Sequence, residues 1–368
     1  QAITSADVNK DGYTDLIMYA ETAFGVASGL GNGSFGPNAW YSEYLGSIYR
    51  AHTADMNNDT WPDILLPLFL NNGNGTFATP SVHPGYPADT LFAPVDLNGD
   101  GKLDLLSARF NGARIELNQG NGSFGASTIH ADAPTKYLNA VDVNGDGKAD
   151  LVMTYNGKFG VKLNQGLGTF AARVDYAAAE GHTLAMDVSG DGIPDILAAT
   201  SGNGGPVRAF INQGNGTFAT TVDFAGGSGL AIGAADLNGD GLVDLFTATN
   251  TVVYVRLRQT ATTFAPAVAY PCTSFLLEPS DSAMVAADVN GDGLPEIVQR
   301  GFHGMQFLPN LGNGTFGEKR VFLGGYYGGG IDGEDFVTGD FNRDGMADFA
   351  VASNYDEQVS IMLSTCLP

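Results

Sequence analysis

The sequence is poor in cysteine, in basic residues and in long apolar runs. Among 368 residues the only cysteines are Cys272 and Cys366. That excludes a disulfide-framework fold and leaves one bridge or two free thiols open. Lys and Arg number 17 against 40 Asp and Glu, a formal charge of −23. A chain this acidic is repelled by nucleic acid and by anionic membrane surfaces. No stretch approaches the roughly 20 apolar residues of a membrane span, so no membrane insertion is expected. The chain starts at Gln1 with no basic and apolar leader, which fits a removed signal peptide or none. Helical periodicity, a nucleophile elbow, a phosphate loop and an HExxH zinc motif are all missing. Yet 43% of residues are hydrophobic, which opposes charge-driven disorder.

What the sequence has in abundance is one nine-residue string. It opens at Asp7, Asp55, Asp96, Asp142, Asp187, Asp236, Asp288 and Asp340, spaced about 48 residues apart, the period of a propeller blade. A short apolar run precedes each string and a β-prone run follows it, as in Leu151-Val-Met153. A later Gly-Asn-Gly-Ser/Thr-Phe turn, as in Gly73-Asn-Gly-Thr-Phe77, sits between two further strand-like runs. Asn-Gly between such runs is the strongest short hairpin signal. The pattern predicts an all-β chain, a β-propeller of four-stranded antiparallel blades. One domain spans 1–368, with repeats starting near 3, 50, 91, 137, 182, 230, 283 and 335. Eight blades are expected, the last with three strands; seven is the alternative.

The string itself has the chemistry of a calcium loop. In the third copy Asp96, Asn98, Asp100 and Asp104 place oxygens at positions one, three, five and nine, with Gly101 at six. Ca²⁺ takes six to eight oxygen ligands, and glycine permits the sharp bend. The other sets are Asp7, Asn9, Asp11 and Asp15; Asp55, Asn57, Asp59 and Asp63; Asp142, Asn144, Asp146 and Asp150; and Asp187, Ser189, Asp191 and Asp195. Asp236, Asn238, Asp240 and Asp244, then Asp288, Asn290, Asp292 and Glu296, and finally Asp340, Asn342, Asp344 and Asp348 complete them. Thr60 stands where glycine is expected, Ser189 and Glu296 alter single positions, and Arg343 puts a cation inside the last loop. An Asx-rich turn is the plainer reading, but a turn needs one such residue rather than four. Up to eight structural Ca²⁺ ions are expected; they would offset 16 of the 23 net negative charges.

Asp-x-Asn-x-Asp-Gly-x-x-Asp with the downstream Gly-Asn-Gly-Thr-Phe resembles the FG-GAP (VCBS) repeat. The resemblance covers nearly the whole chain. It implies the calcium-bearing propeller of integrin α subunits and of secreted bacterial and fungal proteins, among them an N-acetylglucosamine-binding propeller. A secreted or cell-surface location is expected mainly from the calcium reading, because millimolar calcium outside cells fills weak sites. The resemblance leaves function open, because this propeller hosts adhesion, sugar binding and polysaccharide lyase activity.

Alternating strand direction puts the acidic loops and the Gly-Asn-Gly turns on one face. The opposite face collects individual connections rich in aromatic and basic residues. Trp40, Tyr44, His52, Tyr137, His182, Arg300, His303, Tyr326 and Tyr327 are the candidate ligand contacts there. Aromatic rings stack on the apolar face of a sugar while nearby polar groups meet its hydroxyls. The expected partner is a carbohydrate, bound without turnover. A polysaccharide lyase or a non-catalytic module of a larger surface protein are the alternatives. No catalytic residue is assigned.

Overall fold

The computed structural model describes residues 2–20, 23–42, 52–65, 68–78, 91–109, 112–130, 137–155, 157–177, 183–199, 205–225, 231–249, 251–271, 284–301, 304–322, 336–352 and 359–364. Cys272 and Cys366 lie outside them. The chain divides into two compact units, one of residues 1–134, 289–291 and 325–368, the other of residues 135–288 and 292–324. Every regular element among the described residues is a β-strand. The protein is an all-β chain whose repeats fold as antiparallel β-propeller blades.

In the first unit, Ala2–Ala6, Asp15–Ala20, Ala23–Ala27 and Ala39–Ser42 form a four-stranded meander. Leu91–Val95, Asp104–Arg109, Gly112–Glu116 and Thr128–His130 form a second. His52–Ala54 pairs with Asp63–Leu65, and Phe336–Gly339, Asp348–Ala352 and Val359–Met362 form a three-stranded sheet. In the second unit there are four four-stranded sheets, opening with Tyr137–Val141, Thr183–Met186, Ala231–Ala235 and Met284–Ala287. Among the described residues, sheets of three or more strands thus number seven, the alternative blade count, and the repeat opening at Asp55 shows a two-stranded pair.

Burial falls off from the middle of each sheet outward. Asp150–Tyr155, a second strand, is buried at every residue, whereas Val174–Ala177, the fourth strand of that sheet, is mostly exposed. The apolar residue at loop position two is anchored in the core: Val8, Met56, Leu97, Val143, Val188, Leu237 and Phe341 are all buried. Phenylalanines that end the turns pack on the preceding sheet. Phe77 meets Phe24 and Tyr41 edge-on at 5.8 and 5.6 Å, and Phe218 meets Phe159 and Tyr176 at 5.6 and 5.3 Å. A weaker turn copy does the same, with Phe264 5.2 Å from Phe224.

Candidate metal loops and ligand residues

Each acidic loop is drawn tight by its own side chains. Asp7 accepts the amides of Asp11 and Gly12, Asn9 accepts that of Asp11, and Asp11 accepts that of Tyr13. The same ladder recurs at Asp55, Asn57 and Asp59, and at Asp236, Asn238 and Asp240. One amide shared by Asp7 and Asn9, and the Asn9 to Asp11 side-chain bond of 3.0 Å, bring the oxygens of positions one, three and five together. The backbone is left-handed at positions four and six, as at Gly99 and Gly101 (φ 77° and 81°), which turns those oxygens inward. Ser189 departs from the ladder: its amide donates to Asp195 and its hydroxyl to Asp187.

Position nine has a different task. Asp15 is fully buried, and its two oxygens accept the amides of Val8 and Gly29 at 2.9 and 2.8 Å. It ties the loop to the end of the third strand. Asp63 does so through Met56 and Asn71, Asp104 through Leu97 and Asn118, Asp150 through Val143 and Asn164. Asp195, Asp244 and Asp348 repeat it, and the longer Glu296 still reaches the Asn310 amide at 3.2 Å. Burial pushes the carboxyls of Asp15 and Asp63 up to about 6 against the lowering pull of those amides, and the neighbouring acids add repulsion. Asp104, Asp150, Asp244 and Asp348 are raised for the same first reason.

One residue class was not among the expected site residues. Asn71, Asn118, Asn212 and Asn310 each use their side-chain NH₂ as a clasp between repeats. They donate to Val8, Met56, Val143 and Leu237, the position-two carbonyls of the preceding repeats, and to their own position-eight carbonyls. Their side-chain oxygen accepts the first glycine amide of the turn. The sequence signal is Asn-x-Gly-x-Gly, overlapped by the turn motif that follows. Gly29, Arg258 and Ser364 stand at the matching place in three repeats, and each still sends its backbone amide to the position-nine carboxylate.

The donor set of each loop is all oxygen, the chemistry of a hard divalent cation rather than of zinc or iron. Among the described residues no three His, Cys, Asp or Glu side chains form a closed metal-holding group. The position-three donor is an amide, and the position-nine carboxyl faces backbone amides. In two loops a lysine pairs with an aspartate of its own loop. Lys102 and Lys148 sit 3.0 Å from Asp100 and Asp146 and hold those carboxyls below the usual range. Both pairs are partly exposed, so the lysines are free to swing into water.

Four of the ligand candidates lie among the described residues, each in a different strand. Trp40, expected in a crossover, lies in the outer strand Ala39–Ser42 opposite Gly25. Its ring covers Gly25, where a Cβ would come within 3.0 Å of it, and the residue is 57% exposed. His52 begins the strand His52–Ala54 opposite Leu65, half-buried. Tyr137 begins the strand Tyr137–Val141, and Arg300 lies in Glu296–Gly301 opposite Met305. Tyr44, His182, His303, Tyr326 and Tyr327 lie outside the described residues.

The FG-GAP-like repeat model matches residues 7–66, 96–153, 187–247, 236–299 and 288–351. The chain belongs to the FG-GAP-like repeat family. Each match opens on the position-one aspartate of a loop, so the FG-GAP-like unit runs from one acidic loop into the next. Comparison with curated proteins by sequence gives no match. Among solved structures, an Agrocybe aegerita lectin that recognises non-reducing terminal N-acetylglucosamine is 21% identical, with a TM-score of 0.57 over 88% of this chain and 94% of that one. That likeness shows the propeller fold. The V. cholerae biofilm matrix protein Bap1 is 14% identical over 99% and 87% of the two chains, with a TM-score of 0.38. BBS1N in complex with ARL6DN is 12% identical over 85% and 93%, with a TM-score of 0.49.

Proposed function

We propose that the protein is a secreted, calcium-stabilised propeller that binds carbohydrate as a lectin or adhesion module. The calcium part rests on repetition: the loops keep an all-oxygen donor set through eight copies while the connections around them differ. The residues at positions one, three and five would hold the ion, with the position-nine carboxylate beside them. Bound calcium would neutralise the crowded carboxylates and add folding energy. Extracellular calcium, in the millimolar range, fills even weak sites of this kind, which supports the secreted location.

The carbohydrate part is carried by Trp40. A ring lying across a glycine, with more than half of its residue exposed, presents a broad apolar face to solvent. A pyranose stacks on such a face. The fold shared with a GlcNAc-recognising lectin is in keeping with this reading.

The test is a glycan array read in calcium and in excess chelator, beside a melting curve under each condition. Glycan binding that needs calcium, and a melting temperature lowered by more than about 10 °C in chelator, are the expected results. An array blank in calcium removes the lectin reading, and an unshifted melting curve removes the calcium reading.

A further inference from the structure

Three of the acidic loops lack glycine at position four. Lys10, Asn58 and Arg343 stand there instead, each left-handed with φ of 55°, 62° and 62°. Gly99, Gly145, Gly190, Gly239 and Gly291 hold that place in the others. A side chain in this conformation is unfavourable, and two of the three use it to reach the next loop. The Arg343 guanidinium donates to the Gly12 carbonyl and lies 4.4 Å over the Tyr13 ring. The Lys10 ammonium donates to the Thr60 hydroxyl at 2.7 Å and lies 4.4 Å over the Trp61 ring. Thr60 is itself left-handed at position six (φ 76°), where the other loops have glycine. The eighth, first and second loops are thus joined in series, each cation held by an oxygen and an aromatic face.

Among the described residues, Lys102 and Lys148 each pair with their own loop's aspartate. Lys10 and Arg343 differ because the next loop anchors them, so an arriving ion cannot simply displace them into water.

We propose that Arg343 and Lys10 are resident cations that clasp the eighth, first and second loops and weaken divalent binding there relative to the remaining loops. The inference rests on the calcium reading of the loops. A fixed unit charge within about 10 Å of a doubly charged ion, largely through water, lowers affinity on the order of fivefold at low salt. The effect fades as salt rises.

Tyr13 and Trp61 make the proposal testable, because both stand at position seven, next to the carboxylates that would hold the ion. Terbium(III), a luminescent ion that occupies calcium sites, emits when a neighbouring aromatic ring is excited. Excitation of tryptophan in a Trp40→Phe background therefore reports the joined first and second loops, between which Trp61 stands, while equilibrium dialysis counts all bound terbium. The emission is expected to reach half its maximum at several-fold higher free terbium than total binding does. Lys10→Met, which keeps the stem and removes the charge, and Lys10→Gly, the residue of the other loops, should bring the two curves together. Emission that tracks total binding from the first equivalents overturns the proposal, as does a Lys10→Met emission curve that does not move. If no terbium binds at all, the calcium reading falls and takes this proposal with it. Saturable binding of one class sinks the proposal alone.

Discussion

The side-chain amide of Asn71 donates to the carbonyl of Val8 at 2.8 Å, across 63 residues of sequence. The amide of Val8 in turn donates to Asp15. Both backbone groups of one residue are therefore fixed, one by its own loop and one by the next repeat. An acidic loop and the clasp between repeats share that residue, so disturbing either is felt by the other.

Asn212→Ala should show the strength of the clasp. Its side-chain NH₂ serves the carbonyls of Val143 and Pro194 at 2.7 and 2.9 Å, in a buried setting. Alanine leaves both acceptors without that donor, at a cost of roughly 2–4 kcal/mol. Denaturant unfolding with an unchanged slope measures it. A cost below about 0.5 kcal/mol would mean that the clasp does not hold the repeats together.

Phe218→Ala tests the turn aromatic. Phe218 is buried against Phe159 and Tyr176 of the preceding sheet. Truncation should cost about 3–5 kcal/mol through lost burial and the cavity left behind. Phe218→Leu should recover more than half of that. Equal losses from both variants would argue for ring geometry over volume.

Stability should depend on pH with opposite signs in calcium and in chelator. Without metal, the Asp15 and Asp63 carboxyls titrate at about 6 in the fold, against the ordinary aspartate value of 3.8 in the unfolded chain. The fold then binds protons more tightly than the unfolded chain. That stabilisation is complete below about 4 and is lost as pH rises through 6. In excess chelator the melting temperature should therefore rise from pH 7.5 to pH 5, and Asp15→Asn should flatten part of the rise. In saturating calcium, protons compete with the ion for the loop carboxylates, so the same acidification should lower the melting temperature. The same sign in both series would speak against metal at these loops.

The parts of this architecture fixed within one loop or turn are legible in the sequence, and those that depend on contacts between distant segments are not. The loop from Asp96 to Asp104 repeats with the same spacing because every blade makes the same strand-to-strand bend, so copies reinforce one another. The turn phenylalanines were legible for the same reason. The task of Asp15 was half legible: its place in the loop was plain, but its two amide partners depend on how the third strand returns, at Gly29. The clasp asparagines were hidden because Asn71 abuts Asn72-Gly-Asn-Gly, where any asparagine passes for a turn residue. Trp40 looked like part of a connection because outer strands are short and half exposed, so their alternation carries little hydrophobic signal.

Trp40→Ala separates binding from folding. The ring covers Gly25 at the exposed outer edge of its sheet, while Tyr41, on the other side of the same strand, stacks on Phe24 at 4.7 Å and belongs to the core. Removing Trp40 should lower stability by less than about 1 kcal/mol, since most of its surface already faces water. Removing Tyr41 should cost more, because its stacking and edge contacts are lost. If sugar stacks on Trp40, the alanine variant should lose at least about tenfold in glycan affinity with an unaltered melting curve, and Trp40→Phe should lose less. Affinity unchanged in both variants would move the sugar site away from this strand, toward the other candidates, such as Tyr44, Tyr326 and Tyr327. The comparison with Tyr41→Ala guards the conclusion, because a loss shared equally by both variants would report a disturbed sheet and not a lost platform.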